Sequence, residues 1–422
     1  MGEGMGRRPL LFGQMQAHAM NTEDLFSGLE QAETIAFTPT RQAGLARLEQ
    51  FASRAGRQYA KQRNYDFGAD RRGNVSALSP WIRHRLVTEE EVLRATLARH
   101  SVSGAEKFVQ EVFWRTYFKG WLEQHPSVWT AYQHGLMQAL GENHWFAEYK
   151  DAVEGRTGID CFDHWARELV ETGYLHNHAR MWFASIWIFT LRLPWELGAD
   201  FFLRHLIDGD PASNTLSWRW VGGLHTKGKT YLARASNIAK YTDGRFNPQG
   251  QLSSTADPLI EQMAHPRIAI KQPAPMPKND FLLLVTQEDC QIETLVPHSP
   301  VGRLGLDVST GLSPLPVGDV SQYFTRGALN DVCDMRPQID ADWGEQIIAA
   351  AEAAGTKTVA TGYAPVGPVA VELAQSKLTE AGIALHHIRR DYDSLAWPYA
   401  TKGFFGMKKK IPQILRELGF AA

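Results

Sequence analysis

Cysteine is scarce in this chain: Cys161, Cys290 and Cys333 are the only three in 422 residues, far apart and odd in number. Such spacing offers neither a disulfide framework nor a paired metal site, so reduced thiols in a cytoplasmic protein are expected. An iron–sulfur cluster held by four cysteines is excluded by count. Net charge is nearly absent too, at −2, which argues against polyanion binding by bulk charge and leaves room for a local basic surface. No apolar run approaches the length of a membrane span. The N-terminal stretch MGEGMGRRPLLFGQMQAHAM has twin arginines, but Gln14, Gln16 and His18 interrupt it before a signal-peptide core can form, and Gly6 stands where a myristoylation signal wants Ser or Thr. Internal repeats and low-complexity tracts are absent.

What the chain has in quantity is large aromatics, with 13 Trp in an otherwise ordinary mix of 44% hydrophobic and 21% charged residues. Its length predicts two or three domains of roughly 150 residues. Residues 1–39 form an N-terminal extension. From 40 to 248 the pattern is helical, with apolar residues at i, i+3, i+4 in GLARLEQFASRAGRQYAKQR, EEEVLRATLARH, AEKFVQEVFWRTYFKGWLEQH and FDHWARELVETGYLHN. Asp160 and Asp163 stand at the expected start of the last helix. Proline concentrates in 249–278, which reads as a linker. In 279–422, FLLLV (281–285), TKTVATGY (356–363) and GIALHHIR (382–389) read as strands, alternating with the helices DADWGEQIIAAAEAAG and VAVELAQSKLTEAG, the former capped by Asp340 or Asp342. The fold expected is an α-helical domain followed by a smaller α/β domain with a largely parallel sheet.

Four segments carry candidate chemistry. In FVQEVFWRTYF, Glu111, Trp114 and Arg115 share one helix face, and in NHARM so do Asn177, Arg180 and Met181. His176 and His178 diverge on a helix and lack a third ligand, so hydrogen-bonded histidines are expected rather than a metal site. In LIDGDPASNTLSWRW, Asp208 and Asp210 read unaided as helix caps. With Arg180 nearby in a helical bundle, a buried Asp208–Arg180 pair is the better reading, because a buried carboxylate must be paired. GNVSALSPW places Ser76 and Ser79 where a helix begins, as caps or as phosphate ligands.

Taken together and in order, YAKQR (59–63), SALSP (76–80), QEVFWR (110–115), GYLHNHARM (173–181), LIDGD (206–210), NTLSWRW (214–220) and FNP (246–248) resemble the flavin-binding domain of the DNA photolyase/cryptochrome family. The resemblance implies FAD, held by Tyr59, Arg63, Ser76, Leu78, Ser79, Phe108, Arg115, Asn177, Arg180, Asp208, Asp210 and Asn214. Val75 stands where Thr is usual, removing one phosphate contact. An amide at Asn214 points to repair rather than signalling. The implied activity is light-dependent splitting of a flipped cyclobutane pyrimidine dimer by reduced FAD, with Glu111, Trp114, Asn177, Met181 and Trp220 around the lesion. A (6-4) photolyase, to which His178 is relevant, and a cryptochrome-like light sensor are the alternatives. Trp218, Trp195 and Trp145 are similar to the family's electron relay. Arg115, His178, Lys227, Lys229, Arg234 and Lys240 are candidate contacts to UV-damaged DNA, single strands included. No metal and no second chromophore are expected, and the protein is expected to be a monomer.

The family usually places its α/β domain first. Here DFLLLVTQEDC and the TKTVATGY…GIALHHI unit resemble that domain, and WPYATKGFFGMKKKIPQIL (397–415) its closing helix, but they follow the flavin domain. A circularly permuted order, similar to short photolyase-like proteins, is therefore expected.

Overall fold

The computed structural model describes residues 34–333 and 342–420. Most of the N-terminal extension, and Asp340, lie outside them. The first part of the chain is helical: α1 Arg41–Ala52, α2 Arg57–Gln62, α3 Ser79–Arg83, α4 Glu89–Leu97, α5 Glu106–Gln124 and α6 Ser127–Gly141. It continues with α7 Phe146–Val153, α8 Asp160–Thr172, α9 Asn177–Ser185, α10 Trp195–His205, α11 Pro211–Val221 and α12 Ala235–Tyr241. Local chemistry sets these ends. Thr88 and Glu91 form a reciprocal capping box at α4. α8 stops at Gly173, whose φ of 67° an L side chain resists. The helix expected over FDHWARELVETGYLHN (162–177) is thereby split, and α9 starts afresh at Asn177.

Four strands follow, β1 Leu282–Thr286, β2 Gly302–Leu306, β3 Thr358–Gly362 and β4 Ala384–Ile388, all parallel in the order β2-β1-β3-β4. The helices between and after them are α13 Asp319–Cys333, α14 Trp343–Ala353, α15 Pro368–Gln375, α16 Asp391–Ala396, α17 Phe404–Lys408 and α18 Ile411–Glu417. Asp342 caps α14 through the backbone N–H groups of Gly344 and Glu345. β1 is buried on both faces, and its alternation shows how the two halves join. Phe281, Leu283 and Val285 pack with Leu48, Phe51, Phe113 and Tyr392, whereas Leu282 and Leu284 face Trp343, Ile347 and Val369. A separate core, built on Trp165, Trp182, Trp187 and Trp218, fills the helical half.

Two further expectations need correction. The closing helix over 397–415 is a short turn and two brief helices, α17 and α18, with Gly403 just before the first and Pro412 in the opening turn of the second. α15 ends at Gln375, and Lys377 adopts a left-handed φ of 52°. The proline-rich segment contains no helix or strand, yet it is a strap fastened along its length: Leu259 N–H bonds Gly222 O, Arg219 grips Glu261, and Ile268 N–H bonds Gln124 O.

The end of β1 is fixed by charge. Lys119 donates to Asp210 at 2.7 Å and to Glu288 at 3.3 Å, while Arg83 donates to Glu288 at 2.8 Å. Asp289 is held by Arg390 at 2.7 Å, Arg85 pairs with Asp393, and Arg115 lies between Asp210 and Glu89. The network holds five cationic and five carboxyl side chains. Burial opposes ionisation of Glu288, but Arg83 and Lys119 hold its carboxyl down at about 2. Removing one partner from such a set strands a buried charge. Glu288→Ala is expected to lower unfolding free energy by roughly 3–5 kcal/mol in urea titrations. Because Glu288 and Glu89 titrate near 2 when folded and near 4.5 when unfolded, their stabilisation is complete above 4.5 and lost as pH falls toward 2. Unfolding titrations across that window should show the decline, and Glu288→Ala should flatten it.

Candidate functional site

The turn between α10 and α11 organises the site. Asp208 accepts both ends of the Arg180 guanidinium, at 2.9 and 2.8 Å, and a hydrogen bond from the Ser79 hydroxyl. Burial alone would lower Arg180, but Asp208 more than reverses this and raises it. This is the buried pair expected from sequence. Two residues on, Asp210 caps α11 by accepting from Ser213 N–H at 2.8 Å, while its other carboxylate oxygen meets Lys119 and Arg115. Asn214, one turn into α11, donates its amide to Ala199 O at 2.7 Å. That bond fixes the orientation of the side chain.

A second wall comes from α5, where Phe108, Glu111, Arg115 and Lys119 recur at helical spacing on one stripe. Glu111 pairs with Arg63. Burial raises the Glu111 carboxyl, against the opposing pull of Arg63. Tyr59 packs edge-on against Phe108 with centroids 5.2 Å apart. The backbone carbonyls of Val75 and Ser76 accept from Arg47, and Ala77 sits at a left-handed φ of 48°. A non-glycine residue in that region is strained, and here the strain turns the chain from Ser76 through Leu78 into α3 with both serine hydroxyls nearby. Leu78 itself is fully buried.

The remaining candidates are more dispersed. Trp114 stacks on Phe404 at 3.8 Å, and Trp220 on Tyr231 at 5.6 Å, so each indole has its own ring partner. Asn177 is exposed and reaches Met181. Trp218 is buried against Gly198, where a Cβ would come within 2.3 Å of its ring. Gly198 lies one turn along α10 from Trp195, and Trp195 shares a surface cleft of about 400 Å³ with Trp145. Lys227, Lys229, Arg234 and Lys240 are exposed.

Two of the expected DNA contacts have partners within the chain. Arg115 is turned inward to Asp210 and Glu89, where it neutralises buried carboxylates. His178 is driven down to about 4, by burial first and then by neighbouring His176, and stacks on Tyr241; it is neutral near pH 7. His176 is hydrogen-bonded, to Arg63 O and to His178 N–H. Lys119, Arg83 and Arg47 escaped the sequence reading. Lys119 had a visible signal, a lysine one turn beyond Arg115 on the same helix stripe; Arg83 and Arg47 had none, because their partners lie far along the chain.

The donor set fits FAD. The hydroxyls of Ser76 and Ser79, the Tyr59 phenol and the Arg63 cation suit a diphosphate, while the Arg180–Asp208 pair and the fixed Asn214 amide suit the polar edge of a flavin ring. Residues 108–291 match the family model for the FAD-binding domain of DNA photolyase; Tyr59, Arg63, Ser76 and Ser79 precede that range. A deoxyribodipyrimidine photo-lyase of Synechococcus sp. is 31% identical over 212 residues, 48% of this chain and 43% of that protein. One from Thermus thermophilus is 32% identical over 214 residues, 50% of this chain and 49% of that protein. The chain thus spans about half the length of these curated relatives. A crystal structure of a bacterial class III photolyase from Agrobacterium tumefaciens is 26% identical, with a TM-score of 0.42 over 48% of this chain and 43% of that one.

Asp208→Ala would leave the partly buried Arg180 without its counter-charge, and is expected to lower stability by about 1–3 kcal/mol. The purified variant should also carry far less flavin per chain, read from the ratio of flavin to protein absorbance. Full flavin content would show that the pair does not hold the cofactor.

Proposed function

We propose that this chain, which carries an FAD-binding domain of the DNA photolyase/cryptochrome family, is a light-dependent DNA repair flavoprotein acting on cyclobutane pyrimidine dimers. When bound, FAD supplies light absorption and one-electron transfer to the dimer. The observation that carries the reading is Glu111, a carboxyl raised by burial and set on the same face of α5 as Arg115, one turn from Trp114.

The role assigned to Glu111 follows from its environment. In its protonated form, Glu111 would donate a hydrogen bond to a thymine carbonyl and stabilise negative charge as it develops there. Arg63, its present partner, would turn to the cofactor phosphates. Trp114, Trp220, Asn177 and Met181 would hold the flipped dimer. Trp218, Trp195 and Trp145 would pass electrons inward from the surface cleft; the contact of Trp218 with α10 at Gly198, and the shared cleft of Trp195 and Trp145, support that order. The neutral, stacked His178 does not favour the (6-4) alternative. We also infer a circularly permuted order of domains, supported by a parallel sheet that follows the helical half in sequence and packs against it through β1.

The test is illumination of the reduced protein with an oligonucleotide carrying one thymine dimer. Thymine absorbance should return only in the light; flavin photoreduction with an intact dimer would overturn repair of this lesion. Glu111→Ala should retain FAD while repair yield falls on the order of tenfold, the effect of one hydrogen bond to a charged group at about 1.5 kcal/mol. Trp195→Phe should slow photoreduction and leave repair by pre-reduced protein nearly unchanged. Equal damage to both activities in both variants would sink the division of roles.

A further inference from the structure

The segment TKGFFGMKKK (401–410) holds four lysines and no acid, in a chain whose net charge is −2. It forms α17 and its flanks, and its two adjacent phenylalanines part ways. Phe404 is 3% exposed and lies on Trp114, whereas Phe405 is 73% exposed. The segment that displays this ring is held firmly, because Phe404, Met407 and Ile411 anchor it in the core shared by both halves of the chain. Lys408 pairs with Glu106 at 3.0 Å, and Lys410 lies over Tyr399. Lys402, Lys409 and Lys410 are exposed without a carboxylate partner among the described residues.

The glycines sharpen the reading. Gly403 has a φ of −62°, and Gly406 lies inside α17 without a positive φ, so neither conformation requires glycine. A Cβ at either position would meet nothing within 4 Å. Glycine inside a helix is unfavourable by about 1 kcal/mol relative to alanine, and no close contact among the described residues offsets it here. Bare backbone on both sides of an exposed aromatic ring leaves space for a flat partner to come close. Lysines around such a ring supply what a sugar–phosphate backbone needs.

We propose that residues 401–410 are a second DNA-binding element, contributed by the α/β half beside Trp114, in which Phe405 stacks on an unpaired base next to the lesion and Lys402, Lys409 and Lys410 neutralise phosphates. The proposal rests on the repair reading above. Phe404 links the two, since one side of α17 supports the Trp114 indole and the other displays Phe405.

The test uses the full chain with oligonucleotides that carry one thymine dimer, or none, and a fluorescent base analogue opposite the lesion. Anisotropy gives affinity as a function of salt. Phe405→Ala should weaken binding to the dimer-containing strand by roughly tenfold, as expected for loss of one base–aromatic stack, and abolish the change in analogue fluorescence; Phe405→Trp should restore both. Replacing Lys402, Lys409 and Lys410 together by Ala should reduce the slope of log affinity against log salt by about 2–3. Unchanged thermal unfolding would show that each variant is folded. Should the unaltered protein bind the dimer while both variants match it in affinity, slope and fluorescence, the inference falls and the repair reading stands. Should the unaltered protein bind neither oligonucleotide, the repair reading falls and takes this inference with it.

Discussion

The carboxylate of Asp210 is the point on which the rest of the structure turns. It caps α11, it touches Lys119 and Arg115, and through Lys119 it is tied to Glu288 at the end of β1. No member of that set tolerates isolation, because each is at least four-fifths buried and a lone charge there has no water to fall back on. Such a network need not add net stability compared with apolar packing. What it fixes is register: the cap places α11, α11 places Asn214, and the preceding turn places Asp208 against Arg180. The candidate flavin site is thus tied, through Lys119, to Glu288 from the other half of the chain.

On the proposed permuted order of domains, this coupling would let the two halves exchange places in sequence without changing the site. In open parallel sheets the crevice beyond the carboxyl ends of the strands, where strand order reverses, is the usual ligand position. Here the order β2-β1-β3-β4 puts that point between β1 and β3. Asp289 and Arg390 fill it with a two-pronged ion pair, and Gln287 O accepts from His84. The sheet therefore presents that end to helices rather than to solvent. The contacts need β1 to meet α3 and α5, and are indifferent to which is made first, provided the connection reaches. The strap from 249 to 278 does reach, and its bonds to Gly222, Gln124 and His387 show that it is ordered by what it crosses.

The periodic features were legible in sequence. α5 and α14 follow from apolar spacing, and β1, β3 and β4 from short β-branched or leucine-rich runs. β2 was hidden because VGRLGLD alternates glycine and arginine with its apolar residues, and is a strand only because β1 pairs with it. The Asp208–Arg180 pair was legible because an acid just ahead of a helix start and an arginine on a neighbouring helix lay in one bundle, where a buried carboxylate needs a partner. Arg83 and Glu288 were not, being separated by 205 positions and joined only by folding. The double assignment of Arg115 shows the same limit: a guanidinium beside an indole on a helix suits a phosphate or a buried carboxylate equally well until the partner is known.

Near-neutral net charge then takes on a different meaning. The ten network residues balance one another, so the −2 of the whole chain belongs to everything outside them. Against that slightly acidic background, the lysines of 401–410, and Lys227, Lys229, Arg234 and Lys240 on the helical half, stand out as local exceptions. Within a Debye length of about 8 Å such clusters act on a polyanion almost independently of the remaining surface. On the proposed repair reading, these few basic contacts would orient a strand, and selectivity would fall to Glu111 and the indoles that a flipped base must reach.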